Sequence, residues 1–449
     1  MKRVTLVLIL GIVFLLAGCG GGGSTSITTN PTQGNTTINF GDATNDQIIA
    51  FELLINSITL SGGSNPSVLP KPTEFEFVHA AGSLEPLSLV TVPSGTYTGA
   101  TISVANPEVV VVNGGVPTKI PATLTSSTVT VTFTPAITIG AGATVLNFDL
   151  NLATSITLNG TSTAATVSPQ FTATTSAVPN NNNENEDEEH GEVEDLRGTI
   201  TNVSSPKFTI QPSQTAQAVT FTTNASTQFK DGITSFSQLT NGMIVSVDAV
   251  TQSDGTLLAT KVESETETAF GEELEGVISA VTGNPATQIT VSTQRAASTT
   301  NSPNTPTLGT SVTVSISTGT KFSVKSKKLT GTLPAFNASN IGKGQRVEVD
   351  SEIQSSSSTT APGDKIKLTE QALTGTISAL SGNNFTLTVS STSAFASLTG
   401  ATTVAVQSQS GTEIRSVTLA NGGTVRVRGL LFFNGTSYTL VAARITPPE

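Results

Sequence analysis

Two short landmarks recur three times in the same order, and they constrain the fold more than any other feature of the chain. The first is Leu-x-Gly-x-Ile, at Leu196-Arg197-Gly198-Thr199-Ile200, Leu274-Glu275-Gly276-Val277-Ile278 and Leu373-Thr374-Gly375-Thr376-Ile377. The second is Gly-x-x-Val-x-Val, at Gly242/Val245/Val247, Gly344/Val347/Val349 and Gly422/Val425/Val427. Between them stand Phe208, Ile289 and Phe385, then Thr227-Gln228-Phe229, Thr320-Lys321-Phe322 and Thr412-Glu413-Ile414. Each unit closes on a predicted strand, Leu258–Val262, Ile366–Leu368 and Leu440–Ile445. A fixed order of landmarks means one supersecondary unit used three times. The middle unit is longer by roughly 20 residues, and the Ser/Thr/Asn/Pro stretch Gln294–Thr310 reads as the inserted surface loop.

Apolar residues alternate with polar ones throughout, with no long segment of helical period. Val, Ile and Thr suit strands, and Gly and Asn suit the turns between them. Five short strands with one apolar face cannot lie open in water, so each unit is expected to close into a small barrel. Upstream, residues 37–177 alternate at Ile102–Val104, Val109–Val112, Val129–Phe133 and Val145–Leu150, punctuated by turns such as Pro93-Ser94-Gly95 and Asn113-Gly114-Gly115. That pattern predicts a β-sandwich. The expected fold class is therefore all-β: an N-terminal β-sandwich followed by three tandem small OB-like β-barrels. The expected divisions are 37–177 for the sandwich, then 196–265, 272–370 and 371–449 for the barrels. Residues 178–195 separate them, with half of Asn180–Asp195 acidic; like charges repel and stay solvated, so this stretch reads as a linker.

Two resemblances follow from these residues. The sandwich segment resembles an uncharacterised N-terminal domain of bacterial lipoproteins. It shares the opening Asp42-Ala43-Thr44-Asn45-Asp46, the turn Val92-Pro93-Ser94-Gly95-Thr96-Tyr97, and Phe148-Asp149 followed by Ser155-Ile156; Thr44 departs from the usual proline. The units over 196–446 resemble a second uncharacterised family of exported OB-like barrels. Its closing hairpin stands as Asp254-Gly255-Thr256-Leu257-Leu258-Ala259 in the first unit and Asn434-Gly435-Thr436 in the third. The second unit has Pro362-Gly363-Asp364 there instead. Neither resemblance implies an activity.

The chain opens with Lys2 and Arg3, then an apolar run Val4–Ala17. That run suits a signal peptide and is short for a membrane span, which needs about 20 residues. It ends in Leu16-Ala17-Gly18-Cys19, which resembles the bacterial lipobox. The resemblance implies removal of residues 1–18 and lipidation of Cys19. A second acyl chain makes the difference between marginal and firm anchoring, since each buried methylene contributes about 0.8 kcal/mol. Gly20, where an aspartate would imply inner-membrane retention, implies the outer membrane instead. Residues 19–36, Gly- and Ser/Thr-rich, read as a flexible tether. Cys19 is the chain's one cysteine, so its lipidation leaves no thiol for catalysis, disulfides or zinc.

The chain carries 21 Lys and Arg against 32 Asp and Glu, with no tryptophan. Phosphate neutralisation needs clustered cations, so no nucleic-acid partner is expected. The expected partners are the membrane, through the lipid, and a glycan or envelope protein. Catalytic signatures are missing: there is no Gly-x-Ser-x-Gly elbow, His-Glu-x-x-His pair or phosphate loop. His79, in Phe75-Glu76-Phe77-Val78-His79, reads as a strand or strand-end histidine with a satisfied ring; His190 reads as solvated. An EF-hand with Gly191 at its sixth position would put Arg197 at the twelfth, and fails. Asp42, Asp46 and Asp149 are candidate cation ligands at one end of the sandwich, set against ordinary turn and cap hydrogen bonding. No cofactor is expected. The expected function is a lipid-anchored, non-catalytic envelope binding or adhesion protein, against a structural spacer, or more remotely a hydrolytic enzyme. Cys19→Ser is expected to abolish incorporation of a labelled fatty acid and to move the protein from the membrane fraction to the soluble one.

Overall fold

The computed structural model describes residues 33–43, 45–80, 84–176, 192–212, 218–264, 271–298, 306–324, 326, 329, 331–352 and 360–448. Cys19, the tether, His190 and most of the acidic stretch lie outside these residues. The first domain is a sandwich. One sheet orders Phe171–Ser176, Thr144–Asn151, Gln33–Ala43 and Leu84–Pro93. The facing sheet orders Thr73–Glu76, Ile48–Ser61, Gly95–Asn113 and Val116–Ile120, with Thr128–Ile139 also paired to Gly95–Asn113. Aromatic rings fill the space between them. Phe40 of the first sheet meets Phe75, Phe77, Phe148 and Phe171 at centroid distances between 5.4 and 5.9 Å. The Val-Pro-x-Gly-x-Tyr turn has a local cause: the buried Tyr97 hydroxyl donates back to the Pro93 carbonyl at 2.7 Å.

Three five-stranded barrels follow. In the third, Glu370–Ser381, Asn384–Val389, Thr403–Ile414, Tyr438–Thr446 and Thr424–Phe433 close in that order. Every pairing is antiparallel except Thr403–Ile414 with Tyr438–Thr446, which gives a Greek-key barrel of OB type. The first barrel has the same cyclic order through Glu192–Ser204, Lys207–Pro212, Val219–Thr222, Leu257–Ser264 and Ile244–Thr251. The second runs Gly271–Gly283, Ala286–Ser298 and Ser311–Ser315. Its last strand is split into Thr360–Pro362 and Lys365–Leu368, and Arg346–Glu352 returns to the start.

The landmarks turn out to be hydrogen-bonded to each other. The isoleucine N–H of the first landmark donates into the second at Met243 O, Gln345 O and Gly423 O, at 2.8–2.9 Å. The returning bond runs from the N–H of Gly242, Gly344 and Gly422 to that same isoleucine's carbonyl, 2.8 Å each time. These three glycines have φ of +89°, +79° and +85°, which side-chain-bearing residues adopt only with strain. The glycine of Leu-x-Gly-x-Ile serves a different purpose. A Cβ on Gly198 or Gly375 would stand 2.5 Å from a carbonyl of the neighbouring strand, and Gly276 is tighter still. The threonines between the landmarks also share one bond: Thr227, Thr320 and Thr412 donate to Ala259 O, Gly363 O and Ala442 O at 2.7, 2.7 and 2.6 Å.

Two expected boundaries move. The first barrel begins at Glu192, inside the expected linker, because Glu192 and Val193 pair with Val250 and Ala249 and Val193 is buried. The stretch expected as an inserted loop, 294–310, begins within a strand, and its residues 299–305 lie outside the described residues. Gln294 and Arg295 belong to the strand Ala286–Ser298, and Gln294 is 3% exposed. Much of the second barrel's extra length falls between Val324 and Arg346, where Leu329 and Ile341 are buried.

Gly375→Ala is expected to lower stability by about 1–3 kcal/mol, as overpacked sites do. Gly160→Ala, where a Cβ meets nothing within 4 Å, is expected to be near neutral. Urea unfolding of the two variants checks the pair.

Candidate functional site

The sandwich, the second barrel and the third barrel meet at one junction, and the buried ionic groups Glu76, Glu275 and Arg346 come together there. The strand Thr73–Glu76 ends in a turn carrying His79. Glu76 braces that turn: its carboxylate accepts the backbone N–H of Phe51, Val78 and His79 at 2.8, 3.1 and 2.6 Å. The second barrel supplies Glu275, the variable residue of its first landmark, and Arg346, from its second. Arg346 Nε lies 3.0 Å from Glu275 Oε1, and Arg346 Nη1 donates to the His79 carbonyl at 3.2 Å. His79 Nδ1 lies 2.9 Å from Glu275 Oε2 and also against Arg346 Nη2. Arg295 Nε stands 3.6 Å from Glu275 Oε2.

Burial alone would push the Glu275 carboxyl up. Arg346, His79 and Arg295 outweigh it and hold the group well below the usual carboxylate range. A carboxylate 5% exposed, facing a guanidinium 4% exposed, is costly to separate, because either charge left alone would be buried without a partner.

Asp46 makes the parallel contact with the third barrel. It sits in the turn after Gln33–Ala43, and its carbonyl accepts the Ala394 N–H at 2.6 Å. Burial raises its carboxyl to about 6, against the opposing pull of Arg426 and of hydrogen bonds from Thr374. Thr374 and Arg426 are register partners on the third barrel. Gln371 ties the two barrels, accepting the Arg346 N–H at 2.8 Å and donating to Gly344 O at 3.0 Å. Gln345 does the same through Leu431 O at 2.8 Å. Apolar packing accompanies the polar ties. Ile49, Ala50 and Val110 of the sandwich bury against Leu308 and Ala394. Leu329 and Ile341 bury with Leu430, Phe432, Val441 and Ala443. The first barrel reaches the second through Arg197 and Asp350, 3.7 Å apart.

A cavity of about 90 Å³ opens at the centre of the junction, lined in part by Asp46, Gln294, Arg346, Thr374 and Phe395.

The aspartates read from the sequence as candidate cation ligands occupy two places. Asp42 and Asp149 lie on neighbouring parallel strands, opposite Leu150 and Gly41 respectively, while Asp46 packs on the third barrel. Among the described residues no group of three or more His, Asp and Glu comes together in metal-binding fashion. His79 is the strand-end histidine with an engaged ring that its sequence context suggested. Glu275, Arg346 and Gln294 were missed. Each occupies a variable position of a landmark or of the presumed insertion, and only comparison of the three units, whose equivalents differ in charge, could have marked them.

Residues 197–263 match a family described as a domain of unknown function (DUF5666). No curated protein matches the chain. Solved structures similar to it include the Drosophila Unr CSD456 structure, at 11% identity and a TM-score of 0.13, covering 55% of this chain and 94% of that one. Another is a multidomain protein with nucleic acid binding domains from Streptococcus pneumoniae, at 13% identity and a TM-score of 0.11, covering 55% and 72%. Against the expectation of no nucleic-acid partner, which rested on charge, one similar structure is described as having nucleic acid binding domains. TM-scores this low supply no partner in its place.

Asp46 binds its proton more tightly folded than unfolded, so it favours folding below about pH 4 and that contribution is lost as pH rises through 6. Asp46→Asn is therefore expected to gain stability relative to the parent between pH 4 and 7, by about 1–2 kcal/mol after allowance for partial exposure. Urea midpoints across that range check it.

Proposed function

We propose that this chain is a lipid-anchored, exported, non-catalytic scaffold that holds a rigid multidomain body on a tether away from a membrane. One observation carries the reading: the junction sets the half-buried His79 of the sandwich against the buried Glu275 and Arg346 of the second barrel, so the two domains are not free to swing. The Gln345 and Gln371 bridges and the Leu430–Phe432 packing extend that rigidity to the third barrel. A chain of independent binding beads would keep its polar surfaces solvated and its barrels joined only by linkers. The engaged ring of His79 supports the non-catalytic part of the reading. The order Lys2-Arg3, apolar run, Leu16-Ala17-Gly18-Cys19 supports the lipid anchor, with Gly20 favouring the outer membrane.

The second and third barrels are read as divergent copies of the domain matched at 197–263. The shared glycine, isoleucine and threonine hydrogen bonds support that reading.

Spin labels at Lys71→Cys in the sandwich and Asn383→Cys in the third barrel, in a chain carrying Cys19→Ser, test the rigid body. Dipolar spectroscopy is expected to give one narrow distance distribution, broadened by Arg346→Ala. A broad distribution without that substitution would overturn the scaffold.

A further inference from the structure

The second landmark carries a reactive pair that barrel closure does not require. In the first and third barrels the residue before the landmark glycine is asparagine, giving Asn241-Gly242 and Asn421-Gly422, whereas the second barrel has Lys343-Gly344. Both asparagines are exposed. Asn-Gly is the pair from which a side-chain amide is most easily lost, because glycine has no Cβ to keep its backbone nitrogen away from the asparagine Cγ. That nitrogen attacks Cγ, a new N–Cγ bond forms, and the Cγ–Nδ2 bond breaks to release ammonia, which takes the amide proton with it. Water then opens the cyclic imide, mainly at the backbone carbonyl, and leaves isoaspartate.

The closed barrel withholds the attacking nitrogen. The Gly242 N–H donates to the Ile200 carbonyl and the Gly422 N–H to the Ile377 carbonyl, both at 2.8 Å. The two glycines are also fixed at φ of +89° and +85°, so each peptide is held rather than free to rotate onto Cγ. At Asn421 the side chain is held as well, since its Oδ1 accepts the Leu380 N–H at 3.0 Å. Opening the landmark releases the nitrogen, and a segment altered chemically before it recloses is lost to the native state. Isoaspartate routes the main chain through Cγ and so adds one backbone atom ahead of the glycine. The glycine N–H and the carbonyl one residue on, Met243 O or Gly423 O, then cannot both meet the isoleucine.

We propose that Asn241 and Asn421 are self-modification sites masked by barrel closure, each converting an opening of its own barrel into permanent loss of the landmark bonds. The co-reactant is water and the product released is ammonia. The second barrel, with Lys343 at this position, has no side-chain amide to lose there and keeps its closure reversible. The first and third barrels thus carry a one-way record of opening that the second lacks. This goes beyond the scaffold reading, since it concerns the closure of each barrel and not the docking between domains.

The test holds the full chain with Cys19→Ser in mildly alkaline buffer, folded or in urea, and follows isoaspartate at each site by mass spectrometry of its proteolytic peptides. In urea both asparagines are expected to convert. In the folded chain both are expected to convert at least tenfold more slowly. Gly375→Ala, which crowds the third barrel alone, is expected to speed Asn421 at least fivefold in the folded chain and to leave Asn241 unchanged. Ile377→Val, a milder change in the same barrel, is expected to move the rates in the same direction. Folded chains converting as fast as denatured ones would overturn the proposal, as would an unchanged Asn421 rate in both variants. Chains carrying isoaspartate at position 421 are expected to lose slow hydrogen exchange at the Ile377 N–H after return from urea, while Asn421→Ser chains treated alike regain it. Equal recovery in the two would overturn the one-way step. Narrow label distances together with unmasked asparagines would leave the scaffold standing and remove the masking alone.

Discussion

Glu275 is a carboxylate taken almost wholly out of water, and the arrangement of the domains follows from what it needs. An isolated buried charge would neutralise or pull the site open. Here Arg346 meets it from the adjacent strand of the same barrel, Arg295 approaches from the other side, and His79 comes from a different domain. The within-barrel pair could exist alone. Adding His79 makes the sandwich part of the solvation of that pair, so undocking the sandwich would expose or orphan groups that the barrel has already buried. Glu76 fixes the His79 turn from beneath by accepting three backbone N–H groups, which removes the freedom that would otherwise oppose docking.

The architecture was largely legible because strand alternation and landmark glycines are local. Leu274, Gly276 and Ile278 face the core, and the same parity holds in the other units, so the all-β reading and the barrel closure follow from spacing alone. The two glycine classes were legible as constraints but not as mechanisms. Gly344 answers to backbone sign and Gly276 to a carbonyl too close for a Cβ, a distinction that depends on strand pairing. The junction was not legible, because the residues that build it stand far apart in sequence: His79, Glu275 and Arg346 belong to three separate segments. Composition misled as well. A Ser/Thr/Asn-rich stretch ordinarily signals a loop, yet Gln294 and Leu308, at either end of one, are both buried.

The added length of the second barrel is what makes it the hub. Gln294 reaches the Ile49 carbonyl and Leu308 packs with Val110 on the sandwich. On the opposite side, Gly331 N–H donates to Gln409 Oε1 at 2.9 Å and Lys343 O accepts the Tyr438 hydroxyl at 2.8 Å, both from the third barrel. The first barrel is shorter through the same segments; its contacts with its neighbours include Arg197–Asp350, an Ala143 N–H to Ser253 O bond of 3.3 Å, and Leu89 of the sandwich packed on its core. Length inserted into a barrel thus became contact area between domains.

One position ties these observations together. The residue between Leu and Gly of the first landmark points away from the barrel core, and in each unit it makes a domain contact: Arg197 with Asp350, Glu275 with His79, Thr374 with Asp46. The flanking Leu and Gly are held by packing and by a neighbouring carbonyl, so that residue is carried on a stiff strand at a repeated height. A stiff, repeated, outward-facing position suits a contact that must be the same in every molecule. Its chemistry can change from guanidinium to carboxylate to hydroxyl without disturbing the barrel beneath it. The landmark therefore does two separate jobs: its invariant residues close each barrel, and its variable one sets which neighbour that barrel is docked against.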